Sequence, residues 1–497
     1  MSKISSSLKN EGFMVIDVGT GNVRVAIVSK AGDLLGIERD NMVYHKDSAY
    51  PEALYFSPNV IWAKIIDLIR KIKFTLSEKV EIIGVTASSQ REGIVLLDDN
   101  GDAVIGFPNH DHRGREWENI VKQPQRVYEL TGRRPSSLFS AMKLVGTRER
   151  RSDVFQKTSS FTSVSDWVQY QCSGVLGYEH AQASETLLYD VVSKSWSGEL
   201  CNMFRLDPEL LPPLHDSGTI LGPVSSKFRE ESGLPTHAKV VVGGADTQLA
   251  IKSTGPSIGD IILVGGTTTP VVKITKNYLL DNKQRTWTGR HVEQNQFVLE
   301  TNAGVTGLNF QRLKEAFYPN EGYQVVQEEV EAALEEGTVV NAVLGSLVAG
   351  EDNPITRGGF FFDVPVVTEL TRGDFMCASL LDITCSIKEN FDVLTELEQY
   401  DKDYVWACGG GFQSEVMRTL LSGLLGKKIR LREGYSQASV MGAWLICLEA
   451  LSDDDNGHRL LNDFYIEDQD RDFSTQFENW KQTRGRLQIN NREEEQL

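Results

Sequence analysis

Several features that mark other protein classes are missing from this sequence. No apolar stretch of about 18 or more residues occurs, so we expect neither a membrane-spanning helix nor a secretory leader. The six cysteines form no CxxC pair, which favours scattered, reduced core cysteines and a cytoplasmic location. Neither GxGxxG nor GxxxxGK[ST] is present, so neither a Rossmann nor a P-loop nucleotide site is supported.

Positive charge is also scarce. The chain has 51 Lys and Arg against 69 Asp and Glu, a net charge of −18. Such a surface repels phosphate backbones and anionic lipid, which argues against nucleic acid and membrane as partners. An anionic small molecule would need local amides, Mg²⁺ or basic side chains to oppose this field.

The length of 497 residues, of which 40% are hydrophobic, predicts two domains. Residues 13–28 read as two strands around a glycine turn, and residues 260–275 repeat that plan about half a chain later. We interpret this as a weak internal repeat with a boundary between about 245 and 260. The polar, acidic segment from 452 onward predicts a terminal extension with a frayed tail.

Three glycine-rich turns are candidate phosphate or nucleotide contacts. Asp17–Gly21 (DVGTG) and Gly265–Thr269 (GGTTT) each follow an apolar strand, and turn amides can converge on phosphate oxygens. Gly409–Gly411 precede a predicted helix, where they could pack against a flat ring and expose helical N–H groups. Each motif alone is also compatible with an ordinary turn.

Asp246 follows the apolar strand KVVVGGA, at the end of the strand where α/β sheets place ligands. A carboxylate there could accept the proton of a substrate hydroxyl. The position suits a helix N-cap equally well, so both interpretations stay open from the residues alone.

Two polar clusters, residues 88–93 (SSQREG) and 109–113 (NHDHR), also follow strand-like runs and suit hydroxyl recognition. His110, Asp111 and His112 could instead suggest a metal site, but no third histidine or cysteine lies nearby in sequence. Arg91 and Arg113 could also be surface or domain-pairing residues.

Taken in order, these motifs resemble the FGGY family of carbohydrate kinases over about residues 13–450. DVGTGNVRVAI is similar to the first phosphate motif, VVVGGADTQLA to the catalytic strand and turn, ILVGGTTTPVV to the second phosphate motif and ACGGGFQSEVMRTLL to the adenosine motif. The resemblance implies an α/β fold of two ribonuclease-H-like domains, of the actin/Hsp70 ATPase type, flanking a catalytic cleft. The expected division is an N-terminal sugar-binding domain at 11–252, a C-terminal nucleotide-binding domain at 253–452 and a polar extension at 453–497.

The resemblance also implies roles for individual residues, with ATP and Mg²⁺ as expected cofactors. Asp246 would be the general base and Asp17 would help to place Mg²⁺. The implied substrate-binding residues are Gln90, Arg91, Glu92, Asp111, Arg113 and Asp246. The implied ATP- and phosphate-binding residues are Gly19, Thr20, Gly21, Arg24, Gly266, Thr267, Thr268, Gly409, Gly410, Gly411 and Ser414.

Within the family, the REGIVL run at 91–96 is most similar to autoinducer-2 kinases. Xylulokinases usually carry a Met-His pair near Gln90 and Arg91, and the Arg-Glu pair found here also occurs in glycerol kinases. An autoinducer-2 kinase is therefore the first hypothesis, with a xylulokinase or another ketose or polyol kinase as the alternative. Family members are often dimers, so a homodimer is compatible with the resemblance.

The sequence departs from the family pattern at several positions. Ser29 and Gln437 replace acids, Thr419 and Gly423 replace polar and acidic residues in the adenosine helix, and the usual Glu-Arg before a proline reads Glu351-Asp352-Asn353-Pro354. These departures concern nucleotide affinity and substrate identity.

Two other classes compete with the kinase hypothesis. A sugar- or nucleotide-sensing regulator would bind both ligands without turnover. An actin- or chaperone-like ATPase would hydrolyse ATP without stimulation by a sugar.

Overall fold

The computed structural model describes residues 11–76, 80–351, 355–366, 369–452, 461–466 and 471–494. Two mixed β-sheets, one from each half of the chain, dominate the fold. None of the helices in these ranges combines the length and apolar character that a bilayer crossing requires.

The first half contains fifteen strands and nine α-helices among the described residues, together with two 3-10 helices at Arg115–Ile120 and Pro208–Leu210. The strands are β1 (Glu11–Val18), β2 (Asn22–Ser29), β3 (Leu34–Asn41), β4 (His45–Lys46), β5 (Leu54–Tyr55), β6 (Glu81–Ser89), β7 (Ile94–Leu97), β8 (Ala103–Phe107), β9 (Ser160–Ser163), β10 (Tyr178–Glu179), β11 (Tyr189–Asp190), β12 (Ser195–Trp196), β13 (Leu214–His215), β14 (Ile220–Pro223) and β15 (Lys239–Ala245). The helices are α1 (Pro58–Thr75), α2 (Pro124–Thr131), α3 (Ser140–Arg150), α4 (Ser152–Phe155), α5 (Val164–Ser173), α6 (His180–Ala183), α7 (Gly198–Phe204), α8 (Ser226–Ser232) and α9 (Asp246–Thr254).

The second half adds nine strands and six α-helices in the described ranges, together with two 3-10 helices at Gly410–Gln413 and Tyr435–Gln437. The strands are β16 (Ile261–Val264), β17 (Thr268–Thr275), β18 (Trp287–Arg290), β19 (Phe297–Val305), β20 (Asn341–Val343), β21 (Gly359–Phe361), β22 (Tyr404–Cys408), β23 (Lys428–Arg432) and β24 (Asp463–Ile466). The helices are α10 (Gly307–Phe317), α11 (Tyr323–Glu336), α12 (Arg372–Leu397), α13 (Glu415–Leu425), α14 (Ala438–Leu451) and α15 (Ser474–Glu494).

The two main sheets share one plan. The first has the order β14-β15-β6-β1-β2-β3 and the second β18-β19-β17-β16-β22-β23-β24. In each, three antiparallel strands adjoin two parallel ones: β3, β2 and β1 with β6 and β15, and β19, β17 and β16 with β22 and β23. The hairpins β1–β2 and β16–β17 hold equivalent places, which confirms the predicted internal repeat. The exact domain limits of 252 and 452 stay a prediction.

Two helices cross between the sheets. The α9 residues Ala250 and Ile251 pack with Ile262 on the second sheet, while Trp444 of α14 packs with Phe13 on the first sheet. Helix α9 of the first half thus packs on the second sheet, and helix α14 of the second half packs on the first sheet. The two halves therefore share a buried apolar seam.

Close approach of these helices depends on Gly442. A Cβ at this position of α14 would lie 1.8 Å from the carbonyl oxygen of Leu249 in α9. Backbone atoms cannot move aside as a side chain can, so a side chain here forces the helices apart.

The predicted C-terminal extension packs against the second half over its described part, while the last residues of the predicted frayed tail, 495–497, lie outside the described residues. Strand β24 pairs antiparallel with β23 at the edge of the second sheet. Trp480 and Arg484 of α15 are buried, at 2% and 3% exposure. The polar composition hid this packing because only one stripe of the helix is apolar, and its anchors are a tryptophan and an arginine.

The shared seam yields a stability prediction. Gly442→Ala should destabilise the protein by about 1–3 kcal/mol through overpacking, although alanine normally favours a helix over glycine. Gly198→Ala, at the open start of α7 where an added Cβ meets nothing within 4 Å, is the matched control and should be neutral or slightly stabilising. Urea unfolding measures both, and equal stability of the two variants would contradict the packing described.

Candidate active site

A large cleft of about 1170 Å³ lies between the two halves. Its wall contains most of the residues expected from the sequence: Gly19, Thr20, Gly21, Arg24, Arg91, Glu92, Asp246, Gly266, Thr267, Thr268, Gly409 and Gly410. A second cavity of about 620 Å³ adjoins it and is lined by Gly266, Thr267, Gly410, Gly411 and Ser414 together with residues of α10 and α11. The fold therefore brings together motifs that are up to about 400 residues apart in the chain.

Strand register explains why Asp17 and Asp246 belong to one site. β1 and β15 flank β6 in parallel, and Asp17 and Gly244 both pair with Ser88. Because neighbouring strands are about 4.8 Å apart, the two strand ends lie about 10 Å from each other. Asp246 follows two residues beyond that level, at the carboxyl edge where α/β sheets place their ligands.

Asp17 is fully buried, and only one of its two carboxylate oxygens has a hydrogen-bond partner. Its Oδ2 accepts hydrogen bonds from Arg24, its cross-strand partner, and from the Ser439 hydroxyl at 2.9 Å. Its Oδ1 is buried without a hydrogen-bond partner. Since buried carboxylate oxygens are rarely left unpaired, this atom is a natural ligand, direct or through water, for a hard cation.

The residues present therefore fit Mg²⁺. One carboxylate oxygen is unpaired, a second carboxylate lies close enough to repel it, and two glycine turns that could hold phosphates border the same cleft. Mg²⁺ typically takes one or two carboxylates together with substrate phosphates. No cluster of three or more His, Cys, Asp or Glu suited to a metal occurs among the described residues.

The second glycine turn and the glycine triplet interlock. The Gly411 N–H donates to the Gly265 carbonyl at 3.1 Å, and a Cβ on Gly409 would lie 2.3 Å from that same oxygen. Gly409 also has φ of +98°, which a residue with a side chain rarely adopts. This contact places the start of α13 beside the predicted phosphate turn, so one ligand can reach both.

Asp246 faces the cleft as the first residue of α9, and Ala245 occupies the N-cap position. The N-cap alternative for Asp246 is therefore wrong. Its Oδ1 accepts from the backbone N–H of Thr247 at 2.7 Å, while no described residue donates to its Oδ2. Burial and the negative charge of Asp17 raise the pKa of the Asp246 carboxyl to about 6, which makes it a stronger base than an ordinary aspartate.

Arg91 and Glu92 lie in the cleft wall as expected, within a buried charge cluster. The Arg91 guanidinium donates to both oxygens of Glu300, at 2.6 and 2.9 Å, across the boundary between the halves. Glu92 has φ of +57°, a strained conformation for a non-glycine residue, and its carboxylate lies 3.9 Å from Arg91. Burial raises the pKa of the Glu92 carboxyl. The cluster offers both donors and acceptors to a polyhydroxy ligand.

Three expected substrate contacts are not in the cleft wall. Asp111 is fully buried, accepting from Arg113 Nε and from the Leu54 N–H, both at 2.8 Å. The Arg113 guanidinium also stacks 3.5 Å from the centre of the Phe107 ring. Gln90 accepts from the Asn109 N–H at 3.0 Å. In this structure their polar groups hold the loop behind the wall, because burial demands internal partners. Direct contact of these three residues with a substrate stays a prediction.

The metal alternative at residues 110–112 finds no support in the geometry. His110 Nδ1 contacts the Asn109 side chain at 2.9 Å and His112 Nδ1 contacts Ser137 at 3.1 Å, so the two rings serve different partners. Both nevertheless border the cleft.

The sequence patterns did not predict that the second half contributes side chains to the part of the cleft wall near Arg91 and Glu92. Trp287 of β18 and Glu300 and Asn302 of β19 line it, as do Asn109 and Leu138 from the first half. β18 docks on the first half, where the Thr288 N–H donates to the Gly132 carbonyl at 3.0 Å. The available sequence signal is Glu300, a charged residue that directly follows the apolar residues FVL in the strand FVLETNAGV.

The departures from the family pattern have structural explanations at three positions. Ser29 closes a turn by accepting from the Ala31 and Asp33 N–H groups, and Gln437 accepts from Arg24 at 2.9 Å. A Cβ at Gly423 would lie 2.4 Å from the Arg471 carbonyl, so glycine makes room for the C-terminal segment. Thr419 lines neither cavity.

Comparison with known proteins identifies the relatives of this chain. Residues 13–252 match the model of the FGGY family of carbohydrate kinases, N-terminal domain. A Bacillus subtilis (strain 168) protein named "Putative sugar kinase YoaC" is 48% identical over 441 residues, covering 89% of this chain and 90% of its own length. Autoinducer-2 kinase of Escherichia coli (strain K12) is 28% identical over 316 residues, which cover 62% of this chain and 59% of that protein.

Solved structures share the whole architecture at low identity. A xylulose kinase from Rhodospirillum rubrum has a TM-score of 0.80 at 18% identity, covering 96% of this chain and 99% of its own. Plasmodium falciparum glycerol kinase with ADP has a TM-score of 0.81 at 17% identity, covering 97% and 98%. These likenesses establish the two-domain actin/Hsp70-type ATPase fold. The extent and identity of the sequence matches show that this chain belongs to the FGGY family of carbohydrate kinases, and is a phosphotransferase.

Proposed function

We propose that the protein transfers the γ-phosphoryl group of ATP to a hydroxyl of a linear, sugar-like substrate of the autoinducer-2 precursor type, with Asp246 as the general base. The observation that carries the proposal is the position of Asp246, which faces the cleft near the buried Asp17 and shares its wall with both glycine–threonine turns.

The residues suggest a direct, in-line transfer. Asp246 takes the proton of the attacking hydroxyl as the new bond between that oxygen and the γ-phosphorus forms. The bond between the γ-phosphorus and the β,γ-bridging oxygen breaks, and ADP leaves. Thr20, Gly266, Thr267 and Thr268 would hold the phosphates, and Gly410, Gly411 and Ser414 would border the adenosine in the adjoining cavity.

Mg²⁺ bound near Asp17 would neutralise charge on the phosphate oxygens. Arg24 and Ser439 hold Asp17 in place through its other oxygen. Closure of the two halves would exclude water and so limit wasteful hydrolysis.

Substrate recognition is assigned to the other end of the cleft. Arg91 and Glu92 offer opposite hydrogen-bonding character, and Glu300 fixes the guanidinium plane through two bonds. The choice of an autoinducer-2-type substrate over xylulose rests on the REGIVL run and on the 28% identity to proteins named autoinducer-2 kinase.

The base assignment predicts the phenotype of Asp246→Asn. Transfer should fall by about 10²-fold or more, since the amide cannot accept the proton, while ATP binding is largely retained. Asp67→Asn, at an aspartate 77% exposed on α1, is the control and should behave as the unmodified protein. Full transfer activity in Asp246→Asn would refute the assignment.

The raised pKa of Asp246 predicts the pH dependence of kcat/KM. The group must be ionised to act, so the acid limb should lie near pH 6 and activity should fall about tenfold per pH unit below it. Since the nucleotide also titrates in this range, the residual activity of Asp246→Asn provides the correction. If the pH profile of kcat/KM for Asp246→Asn kept an acid limb at the same pH and with the same fall in activity, another group would be responsible for that limb.

A panel of acceptors tests the substrate. ADP release should be fastest, at the lowest KM, with the linear autoinducer-2 precursor, compared with xylulose and simple polyols, and NMR of the product locates the phosphorylated carbon. Preference for xylulose would favour the ketose alternative. ADP release that no acceptor stimulates would favour an actin- or chaperone-like ATPase, and binding without turnover would favour a regulator.

A further inference from the structure

The segment from Leu344 to Glu351 forms part of the cleft wall although it contains neither helix nor strand. Gly345, Leu347, Val348, Ala349 and Glu351 all border the cleft. The segment runs beside the end of β19, where the Leu347 N–H donates to the Ala303 carbonyl at 2.9 Å. That end of β19 leads directly to Thr306, whose N–H donates to Thr267 in the phosphate turn at 3.2 Å.

Long helix α12 holds this segment from one side. Asp382 accepts from the Leu344 N–H at 3.2 Å, and Asn390 accepts from the Ala349 N–H at 3.1 Å and donates to the Leu347 carbonyl at 2.8 Å. These bonds fix the two ends of residues 344–349, but they leave Glu351 without a partner on α12.

The C-terminal helix α15 holds it from the other side. Arg484 donates to both carboxylate oxygens of Glu351, each at 2.5 Å, and to the Ser346 carbonyl at 2.8 Å. One helical turn earlier, Trp480 donates through Nε1 to Asp382 at 2.8 Å. Both side chains are almost fully buried.

The chemistry of this contact makes Arg484 specific for its position. Its planar guanidinium bridges a carboxylate and a backbone carbonyl at once, which an ammonium group cannot reproduce. Removing it would leave the largely buried Glu351 carboxylate without its cation, and that carboxylate would then seek water or another partner.

We propose that α15 is a positioning element of the active site, in which Arg484 locks Glu351 and the segment 344–351 into the wall of the catalytic cleft. The C-terminal part of the chain thereby sets the shape of the cleft beside the phosphate turn, although none of the described α15 residues lines it. The consequence for catalysis rests on the proposed kinase function, whereas the structural lock does not.

The test compares Arg484→Met with Arg486→Met, which removes an exposed cation two residues along the same helix. Hydrogen exchange of the Leu344, Leu347 and Ala349 amides should be at least tenfold faster in Arg484→Met and unchanged in Arg486→Met. With the preferred acceptor, kcat/KM should be at least tenfold lower in Arg484→Met, with a melting temperature that leaves the protein folded at the assay temperature. Arg484→Lys should recover part of the loss.

A double-variant cycle separates positioning from general stability. If Arg484 acts through Glu351, the Glu351→Gln/Arg484→Met protein should lose no more kcat/KM than the more affected single variant. Independent, multiplying losses would overturn the proposal, as would unchanged exchange in Arg484→Met, or faster exchange with unchanged kinetics. If no acceptor is phosphorylated by the unmodified protein, the proposed function fails, while the exchange experiment still decides whether the lock exists.

Discussion

Electrostatic repulsion between the buried Asp17 and Asp246 in the cleft wall is the constraint on which the rest of this site depends. Asp17 lies near the end of β1 and Asp246 directly follows β15, and these two strands flank β6. Asp17 is fully buried and Asp246 is partly buried. Arg24 compensates Asp17 on one side only. Burial, and after it the negative charge of Asp17, raises the pKa of the Asp246 carboxyl, while Oδ1 of Asp17 has no hydrogen-bond partner and could bind a cation.

The scaffold makes this arrangement durable. In each half a glycine–threonine turn joins the two strands of a hairpin, β1–β2 or β16–β17. Because the two sheets have the same strand order, both turns lie in the wall of one cleft. Helices α9 and α14 each pack on the sheet of the other half, so the halves share a core beneath the cleft. Asp246 begins one of these crossing helices and Ser439, which binds Asp17, lies at the start of the other. Both crossing helices therefore connect the shared core to groups at the two carboxylates.

Much of this could be predicted from the sequence, because the informative signals are local. A short apolar run followed by glycine marks each of these motifs: the hairpins at Asp17–Gly21 and Gly265–Thr269, the strand before Asp246 and the turn at Gly409–Gly411. Their order along the chain then pointed to one family and one fold, which the structure and the comparisons confirm.

What could not be predicted depends on contacts between distant segments. Asp111 and Arg113 carry the right chemistry for substrate binding, but they bond to each other and to Leu54 behind the wall. Glu300 reaches the cleft from a strand of the other half, and Arg484 reaches Glu351 from a polar segment that gave no sign of packing. Pairings of this kind follow from the assembled fold and from the need to satisfy buried charge, neither of which leaves a periodic trace.

Direct titration of the Asp246 carboxyl would test the central claim. Carboxyl ¹³C NMR of protein labelled at aspartate, with the signal assigned by its absence in Asp246→Asn, should give a midpoint near 6 in the ligand-free protein. The midpoint should fall when Asp17→Asn removes the neighbouring charge. An ordinary aspartate midpoint of about 3.9, unchanged by that substitution, would contradict the account.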